Sequence, residues 1–247
     1  MKATGKGRRR RPGRLERPRQ PPRSILPADR KRIVRELNLR CRPGERGTVS
    51  FAALRMRAIV LLTGGAALRI AEVCKLDAHQ VLEDAKAPRW KLRSLVYVRP
   101  EQSKGRRVGD EQWDSAGTIL VSDVARSALR AYLAEAKRRG YIAWPPKKGE
   151  PLFVAVRGNW RSGNGRHRLS VRTLQQQWML LQHRAGLDTP YHFHCLRHDA
   201  MTRACEALNN NVKALAIFGR CSVQTALRYV HVSPQQLIAL RNQLSLG

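Results

Sequence analysis

The feature that most constrains the fold is an apolar run in the first half of the chain. It reads FAALRMRAIVLLTGG over residues 51–65, and its apolar residues recur at helical spacing. This run predicts a mostly buried helix that ends at Gly64 and Gly65. The longer stretch AIVLLTGGAALRIAEV is interrupted by glycines and carries Arg69 and Glu72, so it does not predict a membrane-spanning helix. We therefore expect a globular fold around a buried helix, with no membrane segment.

The remaining segments predict further helices and a few strands. Alternating apolar and polar residues predict strands in KLRSLVYVRP and GTILVS, which a long polar turn separates. A short strand is also expected in PLFVAV. Helical patterns occur in LRIAEVCKL and over residues 122–140, 171–186, 194–208, 212–219, 222–232 and 234–244. The expected fold class is mainly α with a small antiparallel β-sheet (α+β).

Charge divides the chain and indicates its partner. Lys and Arg number 48 against 18 Asp and Glu, a formal net charge of +30, which favours nucleic acid, an acidic membrane surface or an acidic protein as partner. Residues 1–27 are rich in Arg and Pro and predict a flexible basic arm that follows phosphates, or else a solubilising or targeting extension. Residues 28–47 predict a short helical linker, and the globular part begins at residue 48.

The cysteines and the N-terminus indicate a compartment. Five cysteines are scattered through the chain without a C-x-x-C spacing, so we expect reduced thiols and no zinc site. No apolar segment follows the basic N-terminus, so no secretory signal is predicted. These observations favour a cytoplasmic protein.

Several residues suggest phosphate chemistry. HCLRHDAM places His194, Arg197 and His198 within about one helical turn, where their mutual repulsion would be relieved by an anion. Arg69 and Glu72 lie three residues apart on a predicted helix, so the carboxylate can hold the guanidinium in place, although a surface ion pair is the simpler alternative.

Two further candidates have equally plain alternatives when they are considered alone. Lys104 lies in SKGRR between the two predicted strands and can deliver a proton, or it is an ordinary solvated turn residue. Tyr229 lies in RYVHV on the penultimate helix and is either a nucleophile or a core residue.

The order of these motifs resembles the tyrosine recombinases of the phage integrase family. ALRIAEVCKLD resembles the family segment G-L-R-x-x-E-L-x-x-L, and SKG resembles the hairpin that carries the family's lysine. HCLRHDAMT resembles H-x-L-R-H, and IFGRCSVQTALRYVHVS resembles L-G-H-x-S-x-x-T-T-x-x-Y-x-H-V. The resemblance spans roughly residues 50–235.

The resemblance implies a site-specific DNA recombinase that forms a 3′-phosphotyrosine intermediate without metal, ATP or any other cofactor. Tyr229 would attack the scissile phosphate, which Arg69, Arg197 and His194 would bind, and Lys104 would protonate the leaving 5′-oxygen. His194 would orient the phosphate or help to take the tyrosine proton. Supporting roles are expected for Glu72, His198 and His231. Contacts with double-stranded DNA are expected from Arg8, Arg9, Arg10, Arg11, Arg106, Arg107, Arg161 and Arg166. For the glycine-rich segment at 158–168, which holds the last two, an ordinary solvated loop is an equally plain alternative. Residues 48–247 would form the catalytic domain, with an exchange helix at 234–246 passed between the subunits of a homotetramer on paired recombination sites, in association with the nucleoid.

Two departures from the family pattern leave alternatives open. Arg220 stands where the family usually has His or Trp; it can still donate to a phosphate oxygen, or it can mark a weakened site. Few residues precede Arg69, so no separate helical DNA clamp is expected, and an accessory DNA-binding protein is expected as a partner that supplies that role. The alternatives are therefore a catalytically weakened DNA-binding accessory protein and a type IB topoisomerase-like enzyme.

Overall fold

The computed structural model describes residues 24–44, 48–86, 90–103, 106–108, 111–113, 117–156 and 166–230. Within these residues the chain is mainly helical, with short strands between its helices. The helices are α1 (Pro27–Arg40), α2 (Phe51–Ala66), α3 (Ile70–Lys75), α4 (Asp123–Arg138), α5 (Val171–Arg184), α6 (His194–Ala207), α7 (Val212–Gly219) and α8 (Val223–Ala226). The strands are β1 (Leu82–Asp84), β2 (Lys91–Leu92), β3 (Leu95–Val98), β4 (Arg106–Val108), β5 (Glu111–Trp113), β6 (Gly117–Leu120), β7 (Val154–Val156) and β8 (Arg166–Arg168).

Helix α2 is the central element of the fold and packs against α1, α4 and α6. The Ser50 side chain caps its first turn by accepting from the Ala53 amide. The predicted end at Gly64 and Gly65 is wrong, because the helix continues through both and ends at Ala66, and the next residue, Ala67, adopts a left-handed conformation. Each glycine costs helix stability of about 1 kcal/mol relative to alanine, and the packing around this buried helix offsets that cost. No helix in the described ranges is long and apolar enough to cross a membrane.

The strands form four two-stranded antiparallel pairs, β1–β2, β3–β6, β4–β5 and β7–β8. The predicted pairing of the two alternating segments is confirmed by β3–β6, which places Val96 opposite Ile119 with both side chains buried. The polar segment between them was predicted as a turn, but it contains the separate pair β4–β5. Its residues are mostly charged or polar and show no apolar alternation, so the period-2 signal of a half-buried strand is lacking.

Helix α1 packs firmly on the rest of the fold. Ile33 and Leu37 are almost fully buried, and Ile25, just before the helix, belongs to the same apolar core. The short helix expected at residues 28–40 is thus present, and its apolar face is covered by α2 and α5. Residues 24–27, which the sequence places at the end of the basic arm, are partly enclosed by this packing.

Polar contacts add to the docking of α1. Arg30 Nη1 donates to Asp199 Oδ1 of α6 at 2.6 Å, and the Tyr191 hydroxyl donates to Asp29 Oδ2 at 2.7 Å. Asp199 is itself buried. The first helix is therefore joined directly to the element that carries the HCLRH sequence.

A second, smaller apolar cluster lies among α6, α7 and α8. Its buried members include Met201, Leu215, Ala226 and Tyr229. Tyr229 ends the 3-10 turn Leu227–Tyr229 that follows α8. This cluster fixes the position of the tyrosine ring relative to α6, on which the two histidines and Arg197 lie.

Candidate active site

The site begins with an ion pair at the start of α3. Arg69 is the residue before the helix, and Glu72 occupies its third position. Glu72 Oε2 accepts from the Arg69 backbone amide at 2.8 Å, and Oε1 accepts from Arg69 Nη1 at 2.8 Å. This double contact is a capping arrangement in which the carboxylate satisfies a free helix amide and also orients the guanidinium. The Arg69 side chain stays 28% exposed, whereas Glu72 is 1% exposed.

The same carboxylate holds a second arginine from a distant part of the chain. Arg220 Nη2 donates to Glu72 Oε2 at 2.7 Å, and both side chains are buried. Burial acts to raise the pKa of the Glu72 carboxyl, but the charges of Arg220 and Arg69 and the hydrogen bonds from Arg69 hold that pKa below its ordinary value. Glu72 is therefore an ionised carboxylate that bridges two guanidinium groups.

Arg220 keeps unused hydrogen-bonding capacity. It adopts a left-handed backbone conformation (φ 47°, ψ 58°) at the end of α7, which turns the chain sharply before α8. Its Nε and Nη1 are buried and have no hydrogen-bond partner among the residues that the structure describes. Unsatisfied buried donors on a cation are costly unless a ligand completes them. The geometry thus leaves two donors of Arg220 free for an anion.

Arg197 is held by two backbone carbonyls. Its Nη2 donates to Gly219 O at 2.6 Å, and its Nη1 donates to Ala67 O. Burial and the nearby charge of Arg69 lower the pKa of this guanidinium to about 10, so it stays charged at neutral pH. Because Ala67 precedes Arg69 by two residues and Gly219 directly precedes Arg220, these two bonds bring the three arginines together.

Tyr229 joins this cluster through His198. Its hydroxyl lies 2.5 Å from His198 Nδ1, and the two rings are 5.7 Å apart between centroids. Burial raises the pKa of the Tyr229 phenol, although the nearby charge of Arg197 acts in the opposite direction. The His194 ring packs edge-on against His198, with 4.5 Å between centroids, and its side chain is exposed. Partial burial lowers the pKa of His194, and the charges of Arg197 and Arg69 lower it further.

Chemically, this arrangement suits an anion with three or more oxygens beside a phenol. Three guanidinium groups supply charge and directed donors, and one carboxylate holds two of them in position. In the part of the chain that the structure describes, no three His, Cys, Asp or Glu side chains are grouped so as to hold a metal ion.

The structure brings together seven of the predicted residues and leaves others aside. These are Arg69, Glu72, His194, Arg197, His198, Arg220 and Tyr229. Hydrogen bonds join Glu72 to Arg69 and Arg220, and His198 to Tyr229. Arg197 is held by the carbonyls of Ala67 and Gly219, and His194 packs its ring against His198. Lys104, His231, Arg8, Arg9, Arg10, Arg11 and Arg161 lie outside the described residues, as does the predicted helix at 234–246. Arg106 and Arg107 lie on β4, and Arg166 is the first residue of β8.

Three features of the site were not predicted from the sequence. They are the Glu72–Arg220 ion pair, the carbonyl acceptors of Arg197, and the His198–Tyr229 hydrogen bond. Each joins segments that are far apart along the chain, so no local spacing signals it.

Comparisons with known proteins agree on one family. The sequence profile of the phage integrase family matches residues 34–236. A search of curated proteins found no match. Among solved structures, XerA recombinase is 19% identical, with a TM-score of 0.59 over 95% of this chain and 68% of that one.

Two further structures are similar to this chain and contain DNA. The Tn1549 transposon integrase in complex with transposon right end DNA is 16% identical, with a TM-score of 0.61 over 94% of this chain and 69% of that one. A lambda integrase tetramer bound to a Holliday junction is 16% identical, with a TM-score of 0.50 over 85% of this chain and 50% of that one. At these identities the structures establish the fold alone, while the profile match covers most of the chain. The chain therefore belongs to the phage integrase family, the tyrosine recombinases.

Proposed function

We propose that this protein is a site-specific DNA recombinase that cuts and rejoins DNA through a 3′-phosphotyrosine on Tyr229. The observation that carries the proposal is the convergence of three arginines, a histidine pair and a tyrosine hydroxyl from α3, α6, α7 and the turn after α8. Among the described residues the three guanidinium groups outnumber the one carboxylate that contacts two of them, so the set carries excess positive charge. A phosphodiester would supply the missing negative charge.

The proposed reaction uses these groups as follows. Tyr229 Oη attacks the scissile phosphorus, the bond to the 5′-oxygen breaks, and a phosphotyrosine ester replaces the phosphodiester. One ester is exchanged for another, so no ATP is needed. Arg69, Arg197 and the free donors of Arg220 would stabilise the charge that develops on the phosphate oxygens. Lys104 would protonate the leaving 5′-oxygen, as the resemblance of SKG to the family hairpin suggests.

Arg220 is the position at which this chain departs from the family pattern, and its environment favours retained activity. The Glu72 carboxylate fixes one end of the guanidinium through Nη2, while Nε and Nη1 remain for a ligand. A group that is oriented in advance and keeps two free donors can replace the single donor of His or Trp.

We further propose that the protein acts on paired sites in double-stranded DNA as a homotetramer, with the segment at 234–246 passed between subunits. The lambda integrase structure, a tetramer on a Holliday junction, supports this assembly by similarity of fold. The basic arm at residues 1–23 would add phosphate contacts, and an accessory DNA-binding protein would assist site recognition. A nucleoid location in the cytoplasm follows from these partners.

A second candidate is a DNA-binding accessory protein without cleavage activity. It is favoured by the two backbone carbonyls that occupy both terminal nitrogens of Arg197, which reduces the donor capacity left for a phosphate. A type IB topoisomerase-like enzyme would share the chemistry but relax supercoiled DNA of any sequence, so a relaxation assay on an unrelated plasmid distinguishes it.

The test is covalent capture of DNA. Duplexes derived from the DNA that flanks the gene, each carrying a nick so that the cleaved fragment diffuses away, are incubated with the protein and separated on a denaturing gel. We expect an adduct with the wild-type protein and none with Tyr229→Phe, which keeps the ring in its apolar cluster. Tyr97→Phe, at an exposed tyrosine on β3, is the control for loss of a phenolic hydroxyl and should form the adduct normally. An adduct that persists in Tyr229→Phe would refute the assignment, and none with wild-type protein would favour the accessory role.

A further inference from the structure

The hydroxyl of Tyr229 has a specific partner in the folded protein. His198 Nδ1 lies 2.5 Å from Tyr229 Oη, a short distance for a hydrogen bond between a ring nitrogen and a phenol. In the described part of the chain no hydrogen bond joins His194 to this hydroxyl; His194 instead packs its ring against His198. The histidine nearest to the nucleophile is thus the one that follows Arg197, not the one that precedes it by three residues.

The surroundings of His198 keep its ring neutral. Burial is the main cause, and His194 and Arg197 on the same helix and Arg228 on the turn before Tyr229 act in the same direction, so that the pKa of His198 falls to about 4. A neutral imidazole has one nitrogen without a proton, and that nitrogen can accept one. When the proton of Tyr229 points to Nδ1, the proton of His198 resides on Nε2.

Binding of the scissile phosphate would make protonation of His198 more favourable. The negative charge of a scissile phosphate beside Arg197 offsets the positive field that opposes protonation of His198. The imidazole therefore becomes a better proton acceptor once DNA is in place. The phenolic proton of Tyr229 becomes more acidic as its oxygen bonds to phosphorus, because that oxygen then carries more positive charge.

On this basis, and resting on the recombinase function proposed above, we propose that His198 takes the phenolic proton of Tyr229 during attack on DNA, while His194 is left to contact the phosphate. In this step the Oη–H bond breaks and the proton moves to Nδ1 of His198. The Oη–P bond forms, and the P–O5′ bond breaks as Lys104 protonates the leaving oxygen. In the reverse step the 5′-hydroxyl gives its proton to Lys104 and attacks the phosphotyrosine, the Oη–P bond breaks, and the imidazolium returns its proton to the departing phenolate.

Three substitutions separate proton transfer from simple positioning. His198→Asn places an amide near the position of Nδ1, so it keeps a hydrogen bond to Tyr229 but cannot accept a proton. His198→Gln places its amide nearer the position of Nε2, and His198→Ala removes both. If His198 only positioned the tyrosine, the Asn variant would retain nearly full activity, and only the Gln and Ala variants would lose it.

The measurement is the single-turnover rate of adduct formation on a nicked duplex, across a range of pH. We expect His198→Asn to react about 10²- to 10⁴-fold more slowly than wild type at neutral pH, which is the usual contribution of a general base. The deficit should shrink as pH rises, because hydroxide then removes the phenolic proton. Binding of the same duplex, measured by gel shift with Tyr229→Phe as the reference, should be unchanged.

A second substrate identifies which proton is involved. A bridging sulfur in place of the 5′-oxygen leaves without being protonated, so it should restore cleavage by Lys104→Ala but not by His198→Asn. Rejoining of an isolated adduct with a 5′-hydroxyl strand should be slowed in His198→Asn to a similar degree, because the same proton must return.

Three results would overturn the proposal. They are cleavage by His198→Asn within about threefold of wild type at neutral pH, rescue of that variant by the bridging sulfur, and a larger pH-dependent deficit in His194→Asn than in His198→Asn. If the wild-type protein forms no adduct at all, the recombinase function fails first. If wild type reacts and one of these three results is found, only the role of His198 fails.

Discussion

Replacing Glu72 by Gln is the sharpest test of how the site is held together. The carboxylate is 1% exposed and, among the residues that the structure describes, is the single acidic group that contacts Arg69 and Arg220, with Arg197 close by. Glutamine has the same shape and can still accept from the Arg69 backbone amide, so the start of α3 is preserved. The substitution therefore removes one negative charge and little else.

The magnitude follows from the charge balance. Three arginines against one carboxylate leave a local charge of +2, which the substitution raises to +3. Removing one member of a buried ion pair typically costs about 3–5 kcal/mol. Because the amide keeps one hydrogen bond, we expect a loss of about 3 kcal/mol in the free energy of unfolding. For a chain of this size that loss lowers Tm by roughly 6–12 °C.

The pH dependence has a definite sign. The pKa of Glu72 is lowered in the folded protein, so its carboxylate stabilises the fold above its unfolded pKa, and that contribution is lost as pH falls through the lower, folded value. The difference in Tm between wild type and Glu72→Gln should therefore be full at pH 7 and should shrink below about pH 4.

The assay is thermal unfolding with and without sulfate, an anion that the three arginines can bind. Sulfate should raise the Tm of Glu72→Gln more than that of wild type, because the anion replaces the missing carboxylate. Glu135→Gln on α4 is the control, since Glu135 also contacts two arginines, Arg138 and Arg139, but near the surface. Exposed pairs of this kind contribute about 0–1 kcal/mol. A loss in Glu72→Gln no larger than in Glu135→Gln, or an equal response of both to sulfate, would refute the reasoning.

Two further predictions concern the ends of the chain. Deleting residues 1–23 removes ten Lys or Arg and one Glu. If half of these basic side chains contact phosphates, the slope of log K against log salt concentration should become shallower by roughly four units. An unchanged slope would show that the arm does not contact the DNA. Ending the chain after Pro234 should leave binding to a single site intact but impair tetramers on paired sites, measured by mass photometry; normal tetramers and normal strand exchange would show that Leu237, Ile238, Leu240 and Leu244 cover their own domain instead.

The sequence predicted local elements of the fold better than the contacts between them. Helices α4 and α5 begin where a serine precedes an amphipathic pattern, and in both the serine side chain accepts from a backbone amide of the first turn. The position of Arg69 against Glu72 was also predictable, because three residues along a helix bring the two side chains to one face. These features depend only on neighbouring residues.

The contacts that complete the site depend on how distant helices pack. Glu72 and Arg220 are separated by 148 positions, and His198 and Tyr229 by 31. The first contact requires α7 to end with Arg220 in a left-handed conformation, and the second requires the apolar cluster among α6, α7 and α8. Neither condition has a local pattern in the sequence. The sequence therefore predicted only that Arg220 replaces the usual His or Trp of the family and that His198 supports the site.

The packing of α1 on the core makes residue 24 a defined point at which another domain could be attached. Ile25 lies in the core, and Arg30 is tied to Asp199 on the helix that carries Arg197, so residue 24 leaves the domain at a constant position relative to the site. A programmable DNA-binding module fused there would be separated from the scissile phosphate by a fixed offset plus the length of its linker. Each linker residue adds at most about 3.5 Å, so the spacing between the two DNA sequences can be set by counting residues.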